Sequence, residues 1–129
     1  MKVSFDFDST LSRSDVQDFA TSLVQLGHEV WIVTSRFSNE VALESRWHWI
    51  PAQNDKLFGV AQKCGIPTNQ IIFTNMVSKS KFLEGFLFHL DDDEIELEDI
   101  IEWSVDCKGV DVSFDDWREK CLNILNECS

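Results

Sequence analysis

The sequence predicts an α/β fold: a three-layer α/β/α, Rossmann-like, doubly wound parallel sheet of about five strands. Three observations carry this. Short apolar runs of strand length alternate with stretches whose apolar residues recur at spacings of three and four. The strand candidates are apolar at consecutive positions, as strands buried between two helix layers are. The length of 129 residues matches one domain of ordinary size, so 1–129 is expected to form a single domain.

The elements follow in order. Val3 to Phe7 reads as a first buried strand. Ser12 and Ser14 are candidate N-caps of a helix whose inner face holds Val16, Phe19, Ala20, Leu23 and Val24, with Gly27 past its end. Val30 to Val33 is a second strand. Asn39 to Arg46 has the makings of a short helix, and Trp47 to Asn54, with Pro51, reads as a loop. Leu57, Val60, Ala61 and Cys64 mark a helix stopped by Gly65 and Pro67. Ile71 to Thr74 is a third strand. A short helix is expected from about Ser78, carrying Phe82, Leu83 and Phe86 around Gly85, and Phe86 to Leu90 is a fourth strand. Ile95, Leu97, Ile100 and Ile101 sit on a short acidic helix, and Val105 to Val112 holds a weaker fifth strand. Ser113 with Asp116 looks like a capping box for a last helix with Trp117, Cys121, Ile124, Leu125 and Cys128 inward.

Composition narrows the partners. Eleven Lys and Arg against 23 Asp and Glu leave a formal charge of −12, which argues against DNA, RNA or an anionic membrane, since these need basic clusters. Solubility is one reading of the acidity. Carboxylates crowded into a site, and needing a cation to coexist, are the other reading. The start Met-Lys-Val-Ser-Phe-Asp lacks the apolar run of a signal peptide, and no window reaches the length of a membrane span. Cys64, Cys107, Cys121 and Cys128 form no CxxC pair and His28, His48 and His89 are scattered, so zinc is not expected. Reduced, mostly buried thiols in a cytoplasmic protein are. The five tryptophans are expected mostly in the core.

In open parallel sheets ligands bind outside the carboxyl ends of the strands. The first strand ends in Asp6-Phe7-Asp8-Ser9-Thr10-Leu11, the second in Thr34-Ser35-Arg36, the third in Thr74-Asn75, and the fourth in Asp91-Asp92-Asp93; Lys79 opens the helix between the last two. An Asp-x-Asp pair is weak evidence, since 13 Asp residues make about one by chance. Its position at a strand end beside a second acidic cluster is stronger. Carboxylates gathered there need a divalent cation or raised pKa values. Ligands that are all oxygen favour Mg²⁺, which takes phosphate oxygens as its remaining ligands. Asp93 and Glu94 are also placed to favour a helix N-terminus, and Thr34 to cap a turn. Trp47, His48 and Trp49 suggest stacking on a base, or packing of a loop on the core.

Four segments in this order, Val3 to Leu11 with Asp6 and Asp8, Val30 to Thr34, Lys79, and His89-Leu90-Asp91-Asp92-Asp93, resemble the four motifs of the haloacid dehalogenase-like superfamily. The match spans about 90 residues; one departure is Ser9, where the family has Gly. The resemblance implies a Mg²⁺-dependent phosphohydrolase. Asp6 would be the nucleophile that forms an aspartyl-phosphate. Asp8 would protonate the leaving oxygen and then activate water. Thr34 would hydrogen-bond a phosphoryl oxygen, and Lys79, preferred over Lys81 because it precedes Phe82 and Leu83 by three and four residues, would neutralise charge. Asp6, Asp8 through its carbonyl, Asp91 and Asp92 would hold the metal. Thr10 would order the loop, and Ser9, Thr10, Ser35 and Arg36 are candidate substrate contacts. Neither slot used by the family for a cap has room here, so the resemblance is to a capless member. The expected substrate is a phosphorylated small molecule or nucleotide, or a nucleic-acid end phosphate. A non-catalytic phosphate-binding or regulatory module, and a phosphotransferase, are the rival expectations; a receiver domain would place its Asp at the end of the third strand, where Thr74-Asn75 stand.

Overall fold

A computed structural model describes residues 1–103 and 106–128. Five strands, β1 (Lys2–Phe5), β2 (Glu29–Thr34), β3 (Ile71–Phe73), β4 (Phe88–Asp91) and β5 (Lys108–Asp111), form one sheet in the order β3-β2-β1-β4-β5. Every pairing is parallel. The helices are α1 (Ser14–Gln25), α2 (Asn39–Glu44), α3 (Ile50–Cys64), α4 (Glu94–Trp103) and α5 (Trp117–Glu127). The expected α/β class with a parallel, helix-flanked sheet is therefore what forms. The expected start of the fifth strand at Val105 lies outside the described residues.

Alternation along each strand sorts the side chains onto two faces. Val3 and Phe5 of β1, Ile32 of β2, and Phe88 and Leu90 of β4 join Phe19, Leu23, Leu57, Ala61, Trp117 and Cys121 in the larger core, against α1, α3 and α5. Val33 of β2 joins Leu83, Phe86, Ile100 and Cys107 in a smaller core on the other face, under α4. Phe5 and Phe88, both fully buried, meet edge to face with centroids 5.9 Å apart. β1 lies in the middle of the sheet and passes at once into a tight turn, Phe7–Leu11, which ends at α1.

Several local expectations are corrected. The segment 47–54 is not all loop: α3 begins at Ile50, because Pro51 occupies the first turn, where its missing N–H costs nothing. Neither Ser12 nor Ser14 caps α1; Arg13 holds the N-cap position without a side-chain bond, and the Ser12 hydroxyl accepts from Ser9 N instead. The capping box before α5 does not form, since the Ser113 hydroxyl turns back to Asp111 Oδ1 at 2.7 Å. Cys128 is exposed, since α5 ends at Glu127 and the helix's buried stripe stops at Leu125. The helix expected from Ser78 shrinks to a 3₁₀ turn, Lys79–Phe82. Of the tryptophans only Trp117 is buried, while Trp49 and Trp103 are exposed. Trp47 does pack, edge to face on Phe37 at 4.8 Å.

Candidate functional site

The register of the sheet assembles the site. Asp6 follows β1 directly and its N–H donates to Leu90 O of β4 at 2.8 Å, which sets it beside Asp91, the last residue of β4. The 3₁₀ turn after β3 brings Lys79 over both. Lys79 Nζ donates to Asp6 Oδ1 at 2.8 Å and to Asp91 Oδ2 at 2.6 Å. All three side chains are buried, Lys79 to 2% exposure. The two carboxyl groups therefore share one ammonium. Lys81, the other lysine of this turn, lines a different cleft with Trp103 and Asp99.

Asp91 is enclosed by donors. Its Oδ1 accepts from the backbone N–H of Asp92 at 2.8 Å and of Asp93 at 3.1 Å. Its Oδ2 accepts from Lys79 and pairs with His89 Nε2 at 2.8 Å. A carboxylate offers about four lone-pair sites, so the protein itself fills those of Asp91. Burial opposes its charge, but the His89 and Lys79 contacts outweigh burial and hold its pKa below the usual carboxylate range. Asp6 goes the other way. Burial first, and the nearby Asp91 second, push its pKa up to about 8 against the opposing pull of Lys79. For Lys79, burial favours the neutral form, but the two carboxylates prevail and the pKa is raised. His89, wholly buried, is pushed down by desolvation and stays neutral.

Asp6, Asp91 and Asp92 present carboxylate oxygens that all lie within 4.8 Å of one another, a set that could hold a metal ion. These donors are all hard oxygens, the type that suits Mg²⁺, Ca²⁺ or Mn²⁺. Asp92 is exposed and faces a cleft of about 250 Å³ lined by Asp6, Asp8, Ser9, Ser35, Lys79, Asp91, Asp92 and Asp93. The Asp8 side chain stands outside the three-carboxylate set and is gripped by Arg36. Asp93 Oδ1 accepts from Ile95 N at 2.9 Å, so it caps α4 as its position suggested.

The remaining candidates divide. Ser9 lines the cleft and adopts the left-handed conformation, φ 59°, where glycine is the easier residue. Thr10 is fully buried and its hydroxyl lies 3.5 Å from Asp6 Oδ2, a long contact that backs the turn. Ser35 reaches the cleft. Thr34 is fully buried and its hydroxyl accepts from Arg36 N at 3.3 Å, so it does cap the turn. Ser4, His89, Gln53 and Asn54 were not legible as site residues. For Ser4 and His89 the available signal was a polar residue set within each of two apolar strand runs.

No protein-family model, no curated protein and no solved structure matches the chain. Fold and site define it as a parallel α/β protein with an acid-rich cleft at the carboxyl edge of its central strands.

Proposed function

We propose that the protein is a Mg²⁺-dependent phosphatase of the haloacid dehalogenase-like type, hydrolysing a phosphomonoester through an aspartyl-phosphate. The Lys79 ammonium shared between Asp6 and Asp91, with Asp92 beside them, is the observation that carries this reading. One buried cation between two carboxylates at adjacent strand ends leaves Asp6 close to the cleft and short of positive charge. A phosphoryl group with its cation answers that shortage.

In this mechanism an oxygen of Asp6 attacks phosphorus, the P–O bond to the leaving group breaks, and the leaving oxygen takes a proton from Asp8. Asp8, now a carboxylate, accepts a proton from water, whose oxygen attacks the phosphorus of the aspartyl-phosphate; the acyl phosphate P–O bond breaks, releasing inorganic phosphate and free Asp6. Lys79 holds Asp6 and offsets charge as it builds on the phosphoryl oxygens. Asp6 and Asp92, with the Asp8 carbonyl, would hold Mg²⁺; Asp91, expected from the sequence as a further ligand, has both oxygens taken by four donors and instead stands behind them anchoring Lys79. When bound, Mg²⁺ supplies charge neutralisation for the carboxylates and the phosphoryl oxygens.

The span between β1 and β2 holds only the turn and α1, and β3 is followed within a few residues by Lys79, which fits a member without a cap. An open cleft suits a nucleotide or a nucleic-acid end phosphate. Three buried free cysteines suit a reducing compartment such as the cytoplasm. No helix among the described residues is long and apolar enough to cross a membrane.

Hydrolysis of p-nitrophenyl phosphate, followed with Mg²⁺ and with EDTA for the native protein and for Asp6→Asn, tests the proposal. Turnover should require both Mg²⁺ and Asp6, falling by about 10³-fold or more in the variant. Turnover that survives EDTA or Asp6→Asn overturns it.

A further inference from the structure

We infer that His89, oriented by Ser4, is a positioning residue that fixes the Asp91 carboxylate beneath Lys79. Ser4 and His89 are register partners on the adjacent parallel strands β1 and β4. Their side chains share one face of the sheet, and two residues further on stand Asp6, just past β1, and Asp91, at the end of β4. The chain of contacts runs from Ser4 Oγ to His89 Nδ1 at 2.8 Å, from His89 Nε2 to Asp91 Oδ2 at 2.8 Å, then through Lys79 to Asp6. Ser4, His89 and Asp91 are all 0% exposed.

The chemistry of the partners sets the direction of each bond. The Asp91 carboxylate only accepts, so His89 Nε2 donates to it. In a neutral imidazole Nδ1 then accepts, and the Ser4 hydroxyl is the donor it meets. That commits the single Ser4 proton to His89 rather than to Phe88 O, which lies further off at 3.4 Å. The result is a one-way chain, Ser4 to His89 to Asp91. Buried polar groups are costly unless satisfied, and here each satisfies the next. Asp91 thereby has one oxygen held by two backbone N–H groups and the other by two side chains, which removes its freedom to rotate. Lys79 is aimed at Asp6 by that fixed carboxylate. Partners of this kind, one step behind a reactive carboxylate site, are typically worth about 10–100-fold in function.

Two measurements test this, and the kinetic one rests on the proposed phosphatase reading. Long-range ¹H–¹⁵N correlation spectra of the metal-free, ¹⁵N-histidine-labelled protein report the His89 tautomer directly. The Nε2–H tautomer is expected in the native protein and is kept in Ser4→Ala, where loss of the Ser4 hydroxyl should shift the His89 Nδ1 resonance; the Nδ1–H tautomer in the native protein, or a Ser4→Ala spectrum unchanged at His89, overturns the inference. In p-nitrophenyl phosphate kinetics, His89→Gln keeps an N–H toward Asp91 and should stay within about threefold of native, while His89→Met should lose about 10–100-fold in kcat with KM within about threefold. A native kcat in His89→Met, or equal losses in His89→Gln and His89→Met, overturns it. If His89→Met does not fold, Ser4→Ala carries the comparison through its Nδ1 resonance. A native protein without phosphatase turnover would sink the proposed function, while the tautomer result would still decide the hydrogen-bond chain.

Discussion

Arg36 clamps the carboxylate of Asp8 with two parallel hydrogen bonds, Nε to Oδ2 at 2.9 Å and Nη2 to Oδ1 at 2.7 Å. Its third nitrogen is tied to Gln53 O at 2.9 Å and Asn54 Oδ1 at 3.3 Å, and its Cζ lies 5.0 Å from the centre of the Phe7 ring. Asn54 is itself fully buried and donates to Phe37 O and Asn39 Oδ1. Arg36, a candidate substrate contact from its place after β2, is paired in the structure with Asp8, the proposed acid–base residue.

This pairing predicts how Arg36 variants behave. A lysine delivers one point charge and no fork, so Arg36→Lys should not substitute. Both Arg36→Lys and Arg36→Ala should lower kcat by about tenfold or more, with a smaller change in KM. Steady-state kinetics on p-nitrophenyl phosphate checks this. A variant whose loss lies in KM alone would show that Arg36 binds substrate.

Asp6 predicts a pH dependence of stability. Its folded pKa of about 8 lies above the ordinary carboxylate value of 3.8. Between those values the folded state holds a proton that the unfolded state has released, so stability falls as pH rises. Asp91 is shifted downward, so its gain in stability is complete by about pH 4 and leaves the higher window to Asp6. In metal-free protein, Tm should fall from pH 5 to pH 8, and Asp6→Asn should flatten that slope and raise Tm at pH 8 by roughly 3–6 °C. Calorimetry in EDTA across this range measures it, and Mg²⁺ should restore Tm at pH 8 in the native protein only.

Thiol reactivity separates the four cysteines. Burial pushes Cys107 and Cys121 up to about 12, and Cys64 is also buried. The thiolate is the reactive form, so these three should be inert in the folded protein. Titration with Ellman's reagent should find one fast thiol, removed by Cys128→Ser, and four only after denaturation.

Gly65 ends α3 at φ +83°, and a Cβ there would stand 3.2 Å from Val24 Cγ1. Gly65→Ala combines a left-handed backbone with a tight contact against α1. It should cost about 1–2 kcal/mol, read as a lower midpoint in urea. Catalytic constants should not move, since Gly65 lies at the far end of α3 from Arg36's partners Gln53 and Asn54.

Much of the fold was legible because the local pattern and the tertiary demand agree. A strand such as Val30 to Val33 must be apolar on both sides when helices cover both faces, and it is. The misreadings came where two local rules competed. Pro51 marks a loop or a helix start equally well, and only the packing of Leu57 and Ala61 against the sheet selects the helix. Ser113 has two possible partners, and the turn at Asp111 takes it before the helix does. Of the apolar residues of α4 only Ile100 is fully buried, while Ile95 and Ile101 are exposed. In the site, Asp6, Asp8, Lys79, Asp91 and Asp92 could be picked out because each follows a strand or opens a turn. Ser4 and His89 could not, because a polar residue inside a strand has no meaning until its neighbour across the sheet is known.

The sequence by itself determined the alternation of strand and helix and put polar groups at the strand ends, since both are properties of short windows. Tertiary structure decided the strand order β3-β2-β1-β4-β5, and with it which acids meet. Lys79 and Asp6 are 73 residues apart in the chain, and Arg36 and Asp8 are 28 apart. Those contacts depend on crossovers that lay β4 beside β1 and bring the turn after β3 over the central strands. Local periodicity carries no record of such distances, so the shared ammonium, the clamp on Asp8 and the chain from Ser4 to Asp91 belong to the folded molecule.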